Sequence, residues 1–427
     1  MPLSLARILN KVVPRTAVSA DDAESIVRRL FRDHPDPAFS VQLWDGRQVV
    51  FGPPAQFTLC FEDQETFARC VSSGDPSEFA EGYVDKRVRI EGDLCQAVTL
   101  LSYLGTLKLD VRSKLAVAAK LGGQPSKHTV ESDTRDVQAH YDLSDDFFRL
   151  FLDDRMVYSC AYFANEHEPL EQAQARKLDL VCRKLRLAPG DSLLDVGCGW
   201  GALVIWAAQH YGVRAKGITL SAHQAAEARR RIAKAGLADR VTIDERHYAE
   251  LPAGAHDKVA SVGMYEHVGL EKLPAYFRAV HDTLRPGGLF LNHGISAPGR
   301  KQLRGGGRFL GRHIFPGTEL ARVSHLQTLM EDEGFEILDV ESLRRHYALT
   351  LTEWYRRFRA ARPRAAMLVP EHVIRAWDLY LAGCAHSFAA GIAGIHQVLA
   401  AKPDHGRIGV PLTRHDLLEA TTSVQAH

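Results

Sequence analysis

Ser192-Leu-Leu-Asp195-Val196-Gly197-Cys198-Gly199-Trp200-Gly201 is the stretch that decides the fold of this chain. Its first five residues form an apolar run of strand length. Three glycines then alternate, and Leu203 to Tyr211 resumes with helical spacing. Glycines between a strand and a helix let the backbone turn sharply and let a ligand approach the main chain. A dinucleotide fingerprint would space them G-x-G-x-x-G and hold a pyrophosphate at the helix N-terminus. Here the alternation is strict and an acid, Asp195, precedes it.

Outward from this loop, strand-like and helical segments alternate. Arg214–Thr219, Arg240–Ile243, Lys258–Val262 and Gly288–Asn292 read as strands, and His223–Ala235 as a helix. Such alternation predicts an α/β fold with a doubly wound, mainly parallel sheet. The N-terminal part differs. Residues 36–62 read as β structure with a hairpin turn at Asp45-Gly46, and residues 64–109 as helices interrupted by strand-like Arg87–Glu91. The expected organisation is a small N-terminal α+β domain over 1–112, a linker over 113–131 containing Gly122-Gly123-Gln-Pro125, and a catalytic domain over 132–427.

The 427 residues carry a net charge of +1, with 45% hydrophobic and 25% charged residues, so nothing marks a nucleic-acid binder. The seven cysteines are Cys60, Cys70, Cys95, Cys160, Cys182, Cys198 and Cys384; without a Cys-x-x-Cys pair they suggest neither a disulfide framework nor zinc. No His-Glu-x-x-His spacing occurs, and no metal is expected. There is no membrane-spanning run of about 18 apolar residues and no signal-peptide pattern, so a reducing cytoplasm fits best. Leu5, Ile8, Leu9 and Val12 share one helical face near the N-terminus, read as a helix docked on its own domain. Residues 296–313 carry Arg300, Lys301, Arg304, Arg308 and Arg312 with no acid, three glycines and an apolar Phe309-Leu310. That stretch reads as a loop that docks on an anionic surface, with Phe309 and Leu310 at its tip.

The glycine spacing resembles the first motif of class I methyltransferases, a Rossmann-like fold. Many of these carry an acid at the end of the second strand, where this chain has Gly217-Ile-Thr219-Leu220-Ser221. That departure matches one family, the cyclopropane-fatty-acyl-phospholipid synthases with the related mycolic acid cyclopropane synthases. The resemblance rests on His140-Tyr-Asp-Leu-Ser, Tyr158-Ser159-Cys160-Ala-Tyr, the glycine loop, Gly217-Ile-Thr-Leu-Ser-Ala-His-Gln224, Ser261-Val-Gly-Met-Tyr-Glu266-His267, Leu291-Asn-His293-Gly-Ile295, Ile314-Phe-Pro-Gly317 and Leu343-Arg-Arg-His-Tyr347. A weaker likeness, through Glu81-Gly-Tyr-Val-Asp85, extends to an accessory lipid-binding domain.

The resemblance implies an enzyme that uses S-adenosylmethionine to build a cyclopropane ring on an unsaturated acyl chain of a phospholipid. It implies cofactor contacts from Tyr158, Ser159, Gly197, Gly199, Thr219, Leu220 and Gln224. It also implies a bicarbonate held by Cys160, Glu266, His293, the backbone of Ile295, and Tyr347. The enzyme would work in the cytoplasm, peripherally on the inner face of the membrane, and the family's precedent is a homodimer. The chemistry needs such a set. An alkene that attacks a sulfonium methyl leaves a carbocation, and ring closure requires a base beside it. Taken singly, Cys160 and Tyr347 read as core residues, His293 as a satisfied core histidine and Glu266 as a helix cap. Three other readings exist. One is a relative making methylene- or methyl-branched chains without ring closure, disfavoured by the presence of both His267 and His293. The second is a Cys–His nucleophilic enzyme, which has no use for the glycine loop. The third is a non-catalytic lipid carrier. Gly294 departs from the threonine common in relatives.

Overall fold

The protein's structure is a computed structural model, and it describes residues 18–35, 37–73, 75–106, 143–297 and 307–418. The Leu5–Val12 segment, the linker 113–131, His140-Tyr-Asp and residues 298–306 lie outside the described residues. The chain divides into two units. One comprises Met1–Phe147, Leu303–Pro316 and Tyr355–His386; the other comprises Phe148–Gln302, Gly317–Trp354 and Ser387–His427. The sequence reading set an N-terminal domain over 1–112, a linker over 113–131 and a catalytic domain over 132–427, whereas the first unit runs to Phe147 and takes in two later segments.

The first unit is built as its sequence alternation suggests. Helix α1 (Ala20–Leu30) is capped by Ser19, whose hydroxyl accepts from the Asp22 amide. Strands β1 (Phe39–Gln42) and β2 (Gln48–Phe51) form the hairpin around Asp45-Gly46, and Gly46 has φ 88°. β3 (Phe57–Phe61) pairs parallel to β1 and antiparallel to β4 (Val88–Gly92), giving the order β2-β1-β3-β4. Helices α2 (Gln64–Ser73), α3 (Pro76–Val84) and α4 (Leu94–Thr106) complete this part. Its apolar core includes Ile26, Phe39, Val49, Leu59 and Phe67.

Two segments from the other half of the sequence join this unit through charge and apolar burial. In the helix Glu371–Ala389, Arg375 lies over the Tyr83 ring and donates to the carbonyls of Tyr83 (2.6 Å) and Val88 (3.2 Å). The second segment corrects the sequence reading of the basic stretch. Residues Gly307–His313 are a helix, and Phe309 is only 4% exposed, so it is no apolar tip. Arg308 pairs with Asp75, while Arg312 and His313 meet Glu81 at 3.5 and 3.0 Å. The acids absent from the local sequence come from α3 and its cap, more than 200 residues earlier.

The second unit contains a seven-stranded sheet in the order β10-β11-β9-β8-β5-β6-β7. Its strands are β5 (Ser192–Val196), β6 (Arg214–Thr219), β7 (Val241–Glu245), β8 (His256–Val262), β9 (Leu284–Ser296), β10 (Glu336–Ser342) and β11 (Gly394–Ala401). The first five pair in parallel, as the alternation predicts. β11 runs antiparallel between β9 and β10, which the sequence reading did not assign. Helices α5 (Leu170–Lys184), α6 (Ala202–Tyr211), α7 (Ala222–Lys234) and α8 (Leu273–Thr283) cover the sheet, and two apolar clusters lie against it.

Replacing Phe309 by Ala should destabilise the protein by about 3–5 kcal/mol, the usual cost of deleting a buried phenyl ring. Chemical denaturation reads this directly. Unchanged stability would restore the exposed tip.

Candidate active site

Chain order in the sheet reverses between β5 and β8, and ligands of open α/β sheets bind outside the carboxyl ends of the strands at such a point. The glycine loop leaves β5 there. Gly197, Gly199 and Gly201 all have positive φ. At Gly199, with φ 52°, an added Cβ would meet nothing within 4 Å, so this turn borders open space rather than core. The amides of Gly197 and Cys198 both donate to the Ile218 carbonyl, at 3.0 and 2.9 Å, tying the loop to β6. At the end of β6, Thr219 Oγ1 accepts from the Ser221 amide (3.2 Å) and donates to Gln224 Oε1 (3.0 Å). Ser221 caps α7 through the Gln224 amide. Leu220 is 75% exposed, an unusual state for a large aliphatic residue at a strand end. Asp195 is buried, its Oδ1 lacks a hydrogen bond, and burial pushes its carboxyl up to about 7.

The Tyr158-Ser159-Cys160 segment comes from an earlier part of the chain. The Tyr158 ring packs against Phe148 and Trp354 at 5.4 and 5.3 Å. Gln174 on α5 donates to the Ser159 carbonyl at 2.9 Å, and Thr350 Oγ1 accepts from the Ala161 amide at 3.0 Å. Cys160 is fully buried, and its thiol faces the carbonyls of Ala161 (3.2 Å) and Leu343 (3.8 Å). The Tyr347 amide donates to the same Leu343 carbonyl (3.0 Å), and the Leu343 amide donates to Ile395 on β11, which pairs with Ile295. Burial holds the thiol's pKa far above its ordinary value. A protonated thiol hydrogen-bonded to carbonyls is a poor nucleophile, which removes the Cys–His reading.

Glu266 lies in a single turn of 3₁₀ helix, Tyr265–His267, that follows β8. Its side chain caps no helix. Oε1 accepts from the Ile295 amide at 2.6 Å, whereas the buried Oε2 has no partner. Burial outweighs that hydrogen bond and raises the carboxyl to about 7. His293 is two residues from Ile295 on β9, and its Nδ1 meets the amide nitrogen of Gln397 on β11 at 3.1 Å. An amide nitrogen only donates, so Nδ1 accepts and the ring proton sits on Nε2. That Nε2 is buried without a partner, and burial pushes the imidazole's pKa well below its ordinary value. His293 is therefore not a satisfied core histidine. Buried unpaired polar atoms are costly, and here one acceptor, Glu266 Oε2, and one donor, His293 Nε2, are both left unpaired. An O–H would satisfy the first of these atoms and an oxygen acceptor the second.

The structure thus links Cys160, Glu266, His293, Ile295 and Tyr347 through shared carbonyls and paired strands. Gln397 and Tyr265, which the sequence reading did not single out, complete the arrangement together with Gly294. Gln397 sets the His293 tautomer from a strand 104 residues away. The Tyr265 hydroxyl donates to the Ile295 carbonyl. A Cβ at Gly294 would collide with the Tyr265 ring, so the glycine makes room for that ring. The adjacent Glu266-His267 motif was the available signal for Tyr265; nothing local marked Gln397.

The sheet order and the glycine turn at its reversal define the class I methyltransferase fold. The chain belongs to the mycolic acid cyclopropane synthetase family, whose model matches residues 128–398. That family comprises S-adenosylmethionine-dependent methyltransferases. The chain is 40% identical over 385 residues to a "Probable fatty acid methyltransferase" of Pseudomonas putida, covering 88% of this chain and 95% of that one. Among solved structures it resembles mycolic acid cyclopropane synthase CmaA1 complexed with SAH and CTAB, at 37% identity and a TM-score of 0.59 over 62% of this chain and 97% of that one. The cyclopropane synthase MmaA2 of Mycobacterium tuberculosis is similar at 35% identity, also with a TM-score of 0.59, over 62% of this chain and 97% of that one.

The raised Glu266 carboxyl gives a pH test. Unfolded, it titrates near 4.5; folded, near 7. Across that window the native state binds the extra proton, so this group's contribution to stability falls as pH rises. Glu266→Gln removes the term. The variant should gain on the wild type between pH 5 and pH 8, by on the order of 3 kcal/mol. Denaturation at both pH values measures it. An equal difference at both would contradict the buried, ionisable state of Glu266.

Proposed function

We propose that this protein transfers a methylene unit from S-adenosylmethionine to the cis double bond of an unsaturated phospholipid acyl chain, closing a cyclopropane ring. The observation that carries this reading is the pair of orphaned buried atoms, Glu266 Oε2 and His293 Nε2. Its further support is the family and the two cyclopropane synthase structures. S-Adenosylmethionine supplies an electrophilic methyl group and bicarbonate a base that is not a side chain. Tyr158, Ser159, Gly197, Gly199, Thr219, Leu220 and Gln224 would hold the first. Cys160, Glu266, His293, Ile295 and Tyr347 would hold the second.

The chain's own groups have distinct tasks in this reading. Glu266, when ionised, accepts a charge-assisted hydrogen bond through its free oxygen, which avoids setting two anions against each other. Ile295 acts through its backbone amide, which fixes the carboxylate. His293 stays neutral and donates through Nε2. A carboxyl that titrates near 7 can also take a proton at neutral pH. Cys160 remains a thiol and does not compete for the methyl group.

Lipid access in this reading is peripheral. Among the described residues no helix is long and apolar enough to cross a membrane. The N-terminal unit serves as the accessory lipid-binding part, the cations Arg300, Lys301 and Arg304 contact the anionic inner face of the cytoplasmic membrane, and the assembly is a homodimer.

Expression in a host without cyclopropane lipids, followed by proton NMR of the extracted lipids, tests the product. Upfield ring protons are expected. Methylene- or methyl-branched chains would replace ring closure with the family's other outcome, and unaltered acyl chains would overturn the reading.

A further inference from the structure

Lys177 on α5 is only 2% exposed, yet it forms no ion pair among the described residues. Asp153 and Asp195 act on it through their fields. Its ammonium donates to Ser159 Oγ at 3.1 Å. Three residues earlier on the same helix face, fully buried Gln174 donates to the Ser159 carbonyl at 2.9 Å. Burying a lysine is expensive, and an apolar residue would fill the same volume at lower cost.

The chemistry of this contact fixes a direction. An ammonium carries three donors and no lone pair. Ser159 Oγ must therefore accept from Lys177, and its own hydrogen must point elsewhere. No protein acceptor takes that hydrogen among the described residues. Ser159 is half-buried between Tyr158 and Cys160, in the segment assigned to cofactor contact. Burial lowers the Lys177 amine to about 8, which leaves it mostly protonated at neutral pH. In a water-poor setting a cation behind a hydroxyl strengthens that hydroxyl as a donor.

We infer that Lys177 is a positioning residue that turns and polarises the Ser159 hydroxyl toward a carboxylate, so that the Ser159–Lys177 pair recognises the methionyl carboxylate of the cofactor. This rests on the cofactor reading above. The carboxylate compensates the buried ammonium, which has no ion-paired acid among the described residues. The same positive charge helps to keep His293 neutral.

Two nucleosides separate this role from a structural one. S-Adenosylhomocysteine carries the carboxylate; 5′-methylthioadenosine has the adenosine and thioether without the amino acid. Calorimetric titration of the full chain should show both binding to the wild type. Lys177→Met should weaken S-adenosylhomocysteine roughly ten- to a hundredfold, the usual worth of a hydrogen bond to a charged group. It should leave 5′-methylthioadenosine nearly unaffected. Ser159→Ala, at a half-buried and uncharged position, should show the same selective loss, and the double variant should add nothing to it. If Lys177→Met fails to fold, Ser159→Ala carries the test. Equal losses for both nucleosides, or no loss for S-adenosylhomocysteine, would overturn the inference. A wild type that binds neither would overturn the cofactor reading, and this inference with it.

Discussion

The hydrogen bond from the Ile295 amide to the Glu266 carboxylate joins the turn after β8 to the far end of β9. It forms in the apolar interior, where half a carboxylate satisfied by one amide leaves the other half without a partner. Much of the neighbouring structure serves to keep that arrangement. Tyr265 locks the Ile295 carbonyl from the other side, and Gly294 leaves room for its ring. The Glu319 amide holds the Glu266 carbonyl at 3.1 Å. Gln397 orients His293 so that its unpaired ring nitrogen is a donor rather than a second acceptor. Such a pair is destabilising without a ligand, and strain of this kind concentrates at sites of function.

Much of this was legible in the sequence because it is local. The glycine turn after β5, the parallel strands and the β1–β2 hairpin follow from spacing and residue type within a few positions. The family motifs pointed to Glu266, His293 and Ile295 for the same reason. What stayed hidden depends on pairing across long separations. β11 has no strong alternation, since both its faces are largely buried, and its antiparallel insertion beside β9 leaves no local trace. Gln397 therefore went unmarked. Nothing in the sequence singled out Lys177, although the fold buries it behind Ser159. Gly294 read as a small departure, and only the Tyr265 ring explains it.

The basic stretch near residue 300 shows the same limit from the other side. A run of cations without local acids suggests an exposed electrostatic surface. Its last part is instead a helix neutralised by Asp75 and Glu81, with Phe309 buried beneath. Charge patterns in sequence report on partners only when the fold supplies none from elsewhere. The division of the chain has the same origin, because the segments that join the first unit do so through contacts that no linker composition could signal.

The base is the centre of the proposed chemistry, and its dependence on bicarbonate is measurable. The rate of acyl-chain modification should be followed in buffer stripped of carbon dioxide, after bound carbonate on the purified protein has been assayed and removed. The wild type should slow and recover when bicarbonate is returned, and Glu266→Gln should respond far less. Full wild-type activity without bicarbonate would contradict the anion pocket and leave Glu266 as the direct proton acceptor.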